Sequence, residues 1–143
     1  MPDDALQVSI MPRVTELQAL SRRVEEYGDA RGLPEPTVFV INLALDELIT
    51  NSVMHGFTGV GDPHIDIGLL VEGNSLKLTV KDNGAPFDPT ADTDPDLDSS
   101  LEDRRIGGLG LHLVKSFANR IHYEYVDGQN CLTLEHDLQR ASE

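Results

Sequence analysis

Ile65, Ile67, Leu69 and Val71 take every second position, Glu72-Gly73-Asn74 turns the chain, and Leu76, Leu78 and Val80 alternate back. Period-two alternation on both sides of a tight turn predicts an antiparallel hairpin with one buried face. The pattern returns near the end, where Ile121 to Val126 and Cys131 to Glu135 flank Asp127-Gly128. Strands joined by tight turns exclude a doubly wound parallel sheet, whose neighbouring strands need long crossovers.

Helices fill the space between these blocks. Leu6, Val8 and Ile10 form a short opening strand, and Pro12 breaks it. From about Val14 to Ala30, Leu17, Leu20, Val24 and Tyr27 fall at helical spacing, and Gly32 and Pro34 end the run. A second helix runs from Pro36-Thr37 to about His55-Gly56, with Val38, Ile41, Leu45 and Ile49 in one stripe. A third follows Gly107-Gly108-Leu109-Gly110, with Leu111, Val114, Phe117 and Ala118 on one side. The order β-α-α-β-β-loop-α-β-β predicts an α+β two-layer sandwich: a mostly antiparallel, mixed sheet with helices on one face. With 143 residues, no internal repeat and no linker, a single domain spanning 1–143 is expected, its polar tail from about 137 frayed.

Composition narrows the function. Hydrophobic residues are 39% of the chain and Trp is absent, so the core rests on Leu, Val and Ile. The net charge of −14 argues against a nucleic-acid partner held through phosphates. Seven acids and no Lys or Arg lie between Asp88 and Asp103. A single cysteine, Cys131, excludes an internal disulfide and a multi-cysteine metal site. No apolar run approaches a membrane span, and Met1-Pro2-Asp3-Asp4 is no basic leader, so a soluble cytoplasmic protein is expected.

Three constellations carry chemistry. Glu47 and Asn51 are four apart in Asp46-Glu47-Leu48-Ile49-Thr50-Asn51, so a helix projects both from one side, roughly opposite the Ile41/Leu45/Ile49 stripe. A carboxylate beside an amide oxygen suits a hard cation such as Mg²⁺, or the carboxylate takes a proton from a hydroxyl; the bland alternative is a solvated polar face. His55 alone reads as structural. Asp82-Asn83-Gly84-Ala85-Pro86-Phe87 puts an acceptor for an exocyclic amine at a strand end, with a glycine for close approach or positive φ, or is an ordinary turn. Gly108-Leu109-Gly110 opens a helix, where bare N–H groups and the helix dipole suit phosphate, or is a flexible loop end.

Taken in order, these segments resemble the GHKL ATPase superfamily with its Bergerat ATP-binding fold. Glu47-x-x-x-Asn51 is similar to its N box, Asp82-x-Gly84 to its G1 box and Gly108-x-Gly110 to its G2 box, and residues of about 86–106 fall where that family has its ATP lid. His55-Gly56-Phe57 and the string from Asp82 to Asp88 resemble the bacterial anti-sigma-factor serine kinases. The resemblance covers the chain from its first strand to about Leu134. It implies that Asn51 coordinates the Mg²⁺ of ATP and Glu47 is the general base for a partner's serine. It implies that Asp82 binds the adenine amine, Gly84 lets the base approach, and Gly108 and Gly110 meet the phosphates. Arg104 or Arg105 would reach the γ-phosphate or simply balance nearby acids, and Asn130 would sit where relatives place an adenine-contacting Thr. The acidic run would lie over ATP, so most of its carboxylates are expected to point to solvent. The implied partners are an anti-anti-sigma protein and a sigma factor, with the kinase a homodimer. Competing expectations are an ATP-holding module that only sequesters a partner, and a detached histidine-kinase-like ATPase domain.

Overall fold

A computed structural model describes residues 5–89 and 114–138. Five strands form one sheet: β1 (Ala5–Ile10), β2 (Ile65–Glu72), β3 (Ser75–Asp82), β4 (Arg120–Val126) and β5 (Gln129–Asp137), in the spatial order β1-β2-β3-β5-β4. The α+β sandwich expected from the sequence is observed. Every pairing among the described residues is antiparallel, so the sheet is not mixed there. The two hairpins turn where expected, at Gly73 (φ 61°) and at Asp127-Gly128 (φ 55° and 76°), the second with the paired positive φ of a type I′ turn.

The helices are α1 (Leu17–Arg31), entered through a 3-10 turn at Val14–Glu16, and α2 (Glu35–His55). Gly32 closes α1 in the left-handed region at φ 72°. Its N–H donates to the Asp29 carbonyl and the Leu33 N–H to the Gly28 carbonyl, which together cap the helix. Residues 114–117 are also helical, and Val114 is fully buried.

One face of the sheet supplies Leu6, Ile67, Leu69, Leu78, Val80 and Leu132 to the core, and Leu20, Val24, Ile41, Leu45 and Ile49 meet them from the helices. The opposite face carries the exposed Gln7, Ser9, Lys77 and Lys81. The sequence suggested no membrane-length run, yet Glu35–Met54 is long and apolar enough to cross a bilayer. Part of that apolar surface goes to the core, where Ile41, Ala44, Leu45, Leu48 and Ile49 are buried, while Phe39 and Met54 are exposed. The Tyr27 hydroxyl ties α1 to the sheet by accepting the Val71 N–H at 3.1 Å.

Where α1 ends and α2 begins, contact is close. A Cβ on Gly28 would lie 2.7 Å from Val38 Cγ2. Valine is stiff at χ1, so it cannot swing aside cheaply. Gly→Ala inside a helix ordinarily stabilises by about 0.5–1 kcal/mol. Here we predict the opposite: Gly28→Ala destabilises by about 1–2 kcal/mol, within the range for overpacking. A fall in the urea midpoint at constant m-value is expected; a rise would contradict the packing.

Candidate active site

The site is assembled from the C-terminal half of α2, the end of β3, the start of β5 and the middle of β4. Antiparallel register sets Asp82, the last residue of β3, directly opposite Asn130 of β5. Tyr123 of β4 pairs with Leu132, so it lies diagonal to Asn130. A diagonal pair of this kind is within reach of a long aromatic side chain. α2 crosses above, and Leu48, Asn51, Ser52 and Gly56 close a cleft with Val80, Asp82, Gly84, Phe87, Tyr123 and Asn130.

Asp82 is 7% exposed. A buried carboxylate is costly unless donors surround it. Three do so: the Gly84 N–H and Asn130 Nδ2, each 2.9 Å from Oδ1, and the Ser52 hydroxyl, 3.1 Å from Oδ2. The Ser52 bond fastens α2 to the sheet at the cleft itself. Gly84 is needed for space rather than for φ. A Cβ there would stand 3.0 Å from the Phe57 ring and 3.1 Å from both Asp82 Oδ1 and the Gly56 carbonyl. Asn83 braces the neighbouring loop: its Oδ1 accepts the His64 N–H at 3.0 Å and its Nδ2 donates to the Asp62 carbonyl at 2.8 Å.

Glu47 and Asn51 meet as their spacing requires, with Asn51 Nδ2 donating to Glu47 Oε2 at 3.1 Å. Glu47 is not on a solvated face: it is 9% exposed. The buried arc of α2 is wider than the Ile41/Leu45/Ile49 stripe, because Ala44 and Leu48 extend it. At about 100° per residue, that arc spans roughly 200° and ends at Glu47. Because its amide nitrogen faces Glu47, Asn51 has its Oδ1 left for a cation. That donor set fits Mg²⁺, which takes few protein ligands and keeps waters and phosphate oxygens. No cluster of three His, Cys, Asp or Glu side chains suited to a metal occurs among the described residues.

The structure thus brings Asn51, Asp82, Gly84 and Asn130 to one cleft, with Glu47 bonded to Asn51. Gly108, Gly110, Arg104, Arg105, the carboxylates from Asp92 to Asp103 and the tail from 139 lie outside the described residues. Two site residues, Ser52 and Tyr123, were missed. Only alternation with Ile121 hinted that Tyr123 faces inward, and nothing in the sequence marks Ser52. The Tyr123 phenol is held above its ordinary pKa, first by burial and then by the Asp88 and Asp82 charges, with the Phe87 backbone opposing.

The histidine kinase-like ATPase domain family matches residues 10–136. Serine/threonine-protein kinase BtrW of Bordetella bronchiseptica is 38% identical over 96 residues, 67% of this chain and 68% of that one. Serine-protein kinase RsbW of Listeria monocytogenes is 32% identical over 127 residues, 86% of this chain and 80% of that one. A crystal structure of the RsbU and RsbW domains of Rv1364c from Mycobacterium tuberculosis superposes with a TM-score of 0.66 at 16% identity. That match covers 97% of this chain and 34% of the longer one, and it supports the fold. By its matched domain and its kinase relatives, this chain belongs to the histidine kinase-like ATPase family, in its serine/threonine-protein kinase branch.

Proposed function

We propose that this chain is an ATP-dependent serine/threonine kinase and anti-sigma factor that phosphorylates an anti-anti-sigma protein and sequesters a sigma factor. The observation that carries this reading is the joining of an amine-accepting Asp82 and a Glu47–Asn51 pair on one cleft. Relatives named serine-protein kinase RsbW and anti-sigma F factor support the two halves of the activity. We take the chain to act as one catalytic unit, in the cytoplasm and as a homodimer.

Asp82 accepts the exocyclic amine of adenine, and Gly84 leaves room for the ring. Asn51 Oδ1 would hold Mg²⁺, which would supply charge neutralisation at the phosphates. Gly108 and Gly110 offer backbone N–H groups to the phosphates, and Arg105 reaches the γ-phosphate. Glu47 takes the proton from the serine hydroxyl of the partner. The hydroxyl oxygen then bonds to the γ-phosphorus while the bond from that phosphorus to the β–γ bridging oxygen breaks, and ADP leaves. Such transfer depends mainly on positioning and charge stabilisation. The Asn51 amide keeps Glu47 Oε2 engaged and so orients the carboxylate.

Three outcomes are expected. Glu47→Ala lowers phosphotransfer by about 10²–10⁴-fold, the ordinary contribution of a general base, while ATP affinity changes only a few-fold. Transfer at the wild-type rate would remove Glu47 as the base. Asn51→Ala flattens the Mg²⁺ dependence of ATP binding, and an unaltered Mg²⁺ titration would remove Asn51 as ligand. The phosphorylated partner keeps its label in acid, as phosphoserine does; acid-labile label would favour a phosphohistidine product.

A further inference from the structure

We propose that Tyr123 is a positioning residue for base recognition: through the Asn130 amide it fixes Asp82 as an oriented acceptor for an exocyclic amine. This rests on Asp82 being the base acceptor and extends that reading to a side chain on another strand.

Asn130 is 7% exposed. Its Nδ2 donates to Asp82 Oδ1 and to the Ala85 carbonyl, both at 2.9 Å. Its Oδ1 accepts the Phe87 N–H at 2.9 Å and also the Tyr123 hydroxyl. A side-chain amide has two donor hydrogens and two acceptor lone pairs. All four are committed within the protein, so Asn130 has no polar group left for a nucleotide base. It acts on the base through Asp82.

The amide works in only one orientation. Turned over, its oxygen would face the Asp82 carboxylate and the Ala85 carbonyl, and no donor would remain between them. Two donors aimed at Oδ1 prevent this, and one is the Tyr123 hydroxyl. The other, the Phe87 N–H, belongs to backbone, so Tyr123 is the part of the lock that sequence can vary. To donate, the phenol must keep its proton. Burial and the negative charges of Asp82 and Asp88 favour the protonated form. That contribution is full below the ordinary phenol pKa and is lost only as pH rises through the raised value.

Asp82 then presents acceptor capacity alone. Oδ1 already receives the Gly84 N–H and Asn130, and Oδ2 receives Ser52, which leaves about one lone pair for a ligand. An amine can donate there, whereas a purine carbonyl meets like partial charge. The selectivity affected is therefore for a 6-aminopurine over a 6-oxopurine.

The test uses the whole chain with Mg²⁺ and compares dissociation constants for ATP and ITP, whose base has a carbonyl where adenine has the amine. Tyr123→Phe is expected to narrow the ATP-over-ITP preference by about 3–10-fold, the effect of one neutral hydrogen bond, with ITP binding nearly unchanged. The effect should vanish when Asp82→Asn is also present. A merely structural tyrosine would weaken both nucleotides alike and leave the ratio intact. Asn130→Asp sets two carboxylates within hydrogen-bond distance, where one holds a proton. It is expected to give an ATP affinity that falls as pH rises between 5 and 8 relative to wild type.

An unchanged ratio in Tyr123→Phe, with the ratio lost in Asp82→Asn, would overturn the role of Tyr123 and leave Asp82 as base acceptor. An unchanged ratio in Asp82→Asn would overturn the base-acceptor reading itself. Should Tyr123→Phe not fold, replacing Tyr123 by 3,5-difluorotyrosine decides, because its more acidic phenol keeps the shape but loses the donated proton at lower pH: the ATP-over-ITP ratio should narrow as pH rises, and a ratio as independent of pH as in wild type overturns the role of Tyr123.

Discussion

The cleft depends on a buried carboxylate held from three directions. Asp82 ends β3, yet its donors come from α2 (Ser52), from β5 (Asn130) and from the backbone of the loop that follows (Gly84). Left unpaired, such a charge would be strongly unfavourable in the interior. Held by three donors, it stays an acceptor and ties helix layer to sheet layer at the functional end. The cleft wall and the tertiary packing here are parts of one hydrogen-bond network, so a change at any member should be felt at the others.

α2 has a double task. Its wide apolar arc forms the centre of the core, and its last turns carry Glu47, Asn51 and Ser52. Placing the Glu47–Asn51 pair on a helix pinned by Ile41, Leu45 and Ile49 gives these side chains a rigid base, which precise positioning requires. Burial has a chemical effect as well, since Glu47 at the arc's edge is shielded from bulk water. Charge interactions are stronger where water is scarce.

Much of this was legible in the sequence, because its signals were periodic. Alternation at Ile65–Val71 and Leu76–Val80 located a hairpin within a residue or two, and Asp127-Gly128 marked the turn of the second. The i, i+4 spacing of Glu47 and Asn51 foretold their contact. What stayed hidden depends on neighbours distant in sequence. The burial of Glu47 follows from how α2 is covered, which one stripe of residues does not reveal. Gly28 reads as a helix-weakening residue until Val38 is seen against it. Tyr123 meets Asn130 only through the strand order β3-β5-β4, and Ser52 meets Asp82 only through the crossing of α2.

We propose that one cleft joins an amine acceptor at Asp82 to an Asn51 that would hold the cation. It is tested most directly by a crystal structure with Mg²⁺ and a non-hydrolysable ATP analogue. The exocyclic amine is expected at about 2.9–3.0 Å from an Asp82 carboxylate oxygen. Asn51 Oδ1 is expected at about 2.1 Å from the metal, with phosphate oxygens and waters completing the shell. A base seated away from Asp82, or a metal held without Asn51, would contradict it.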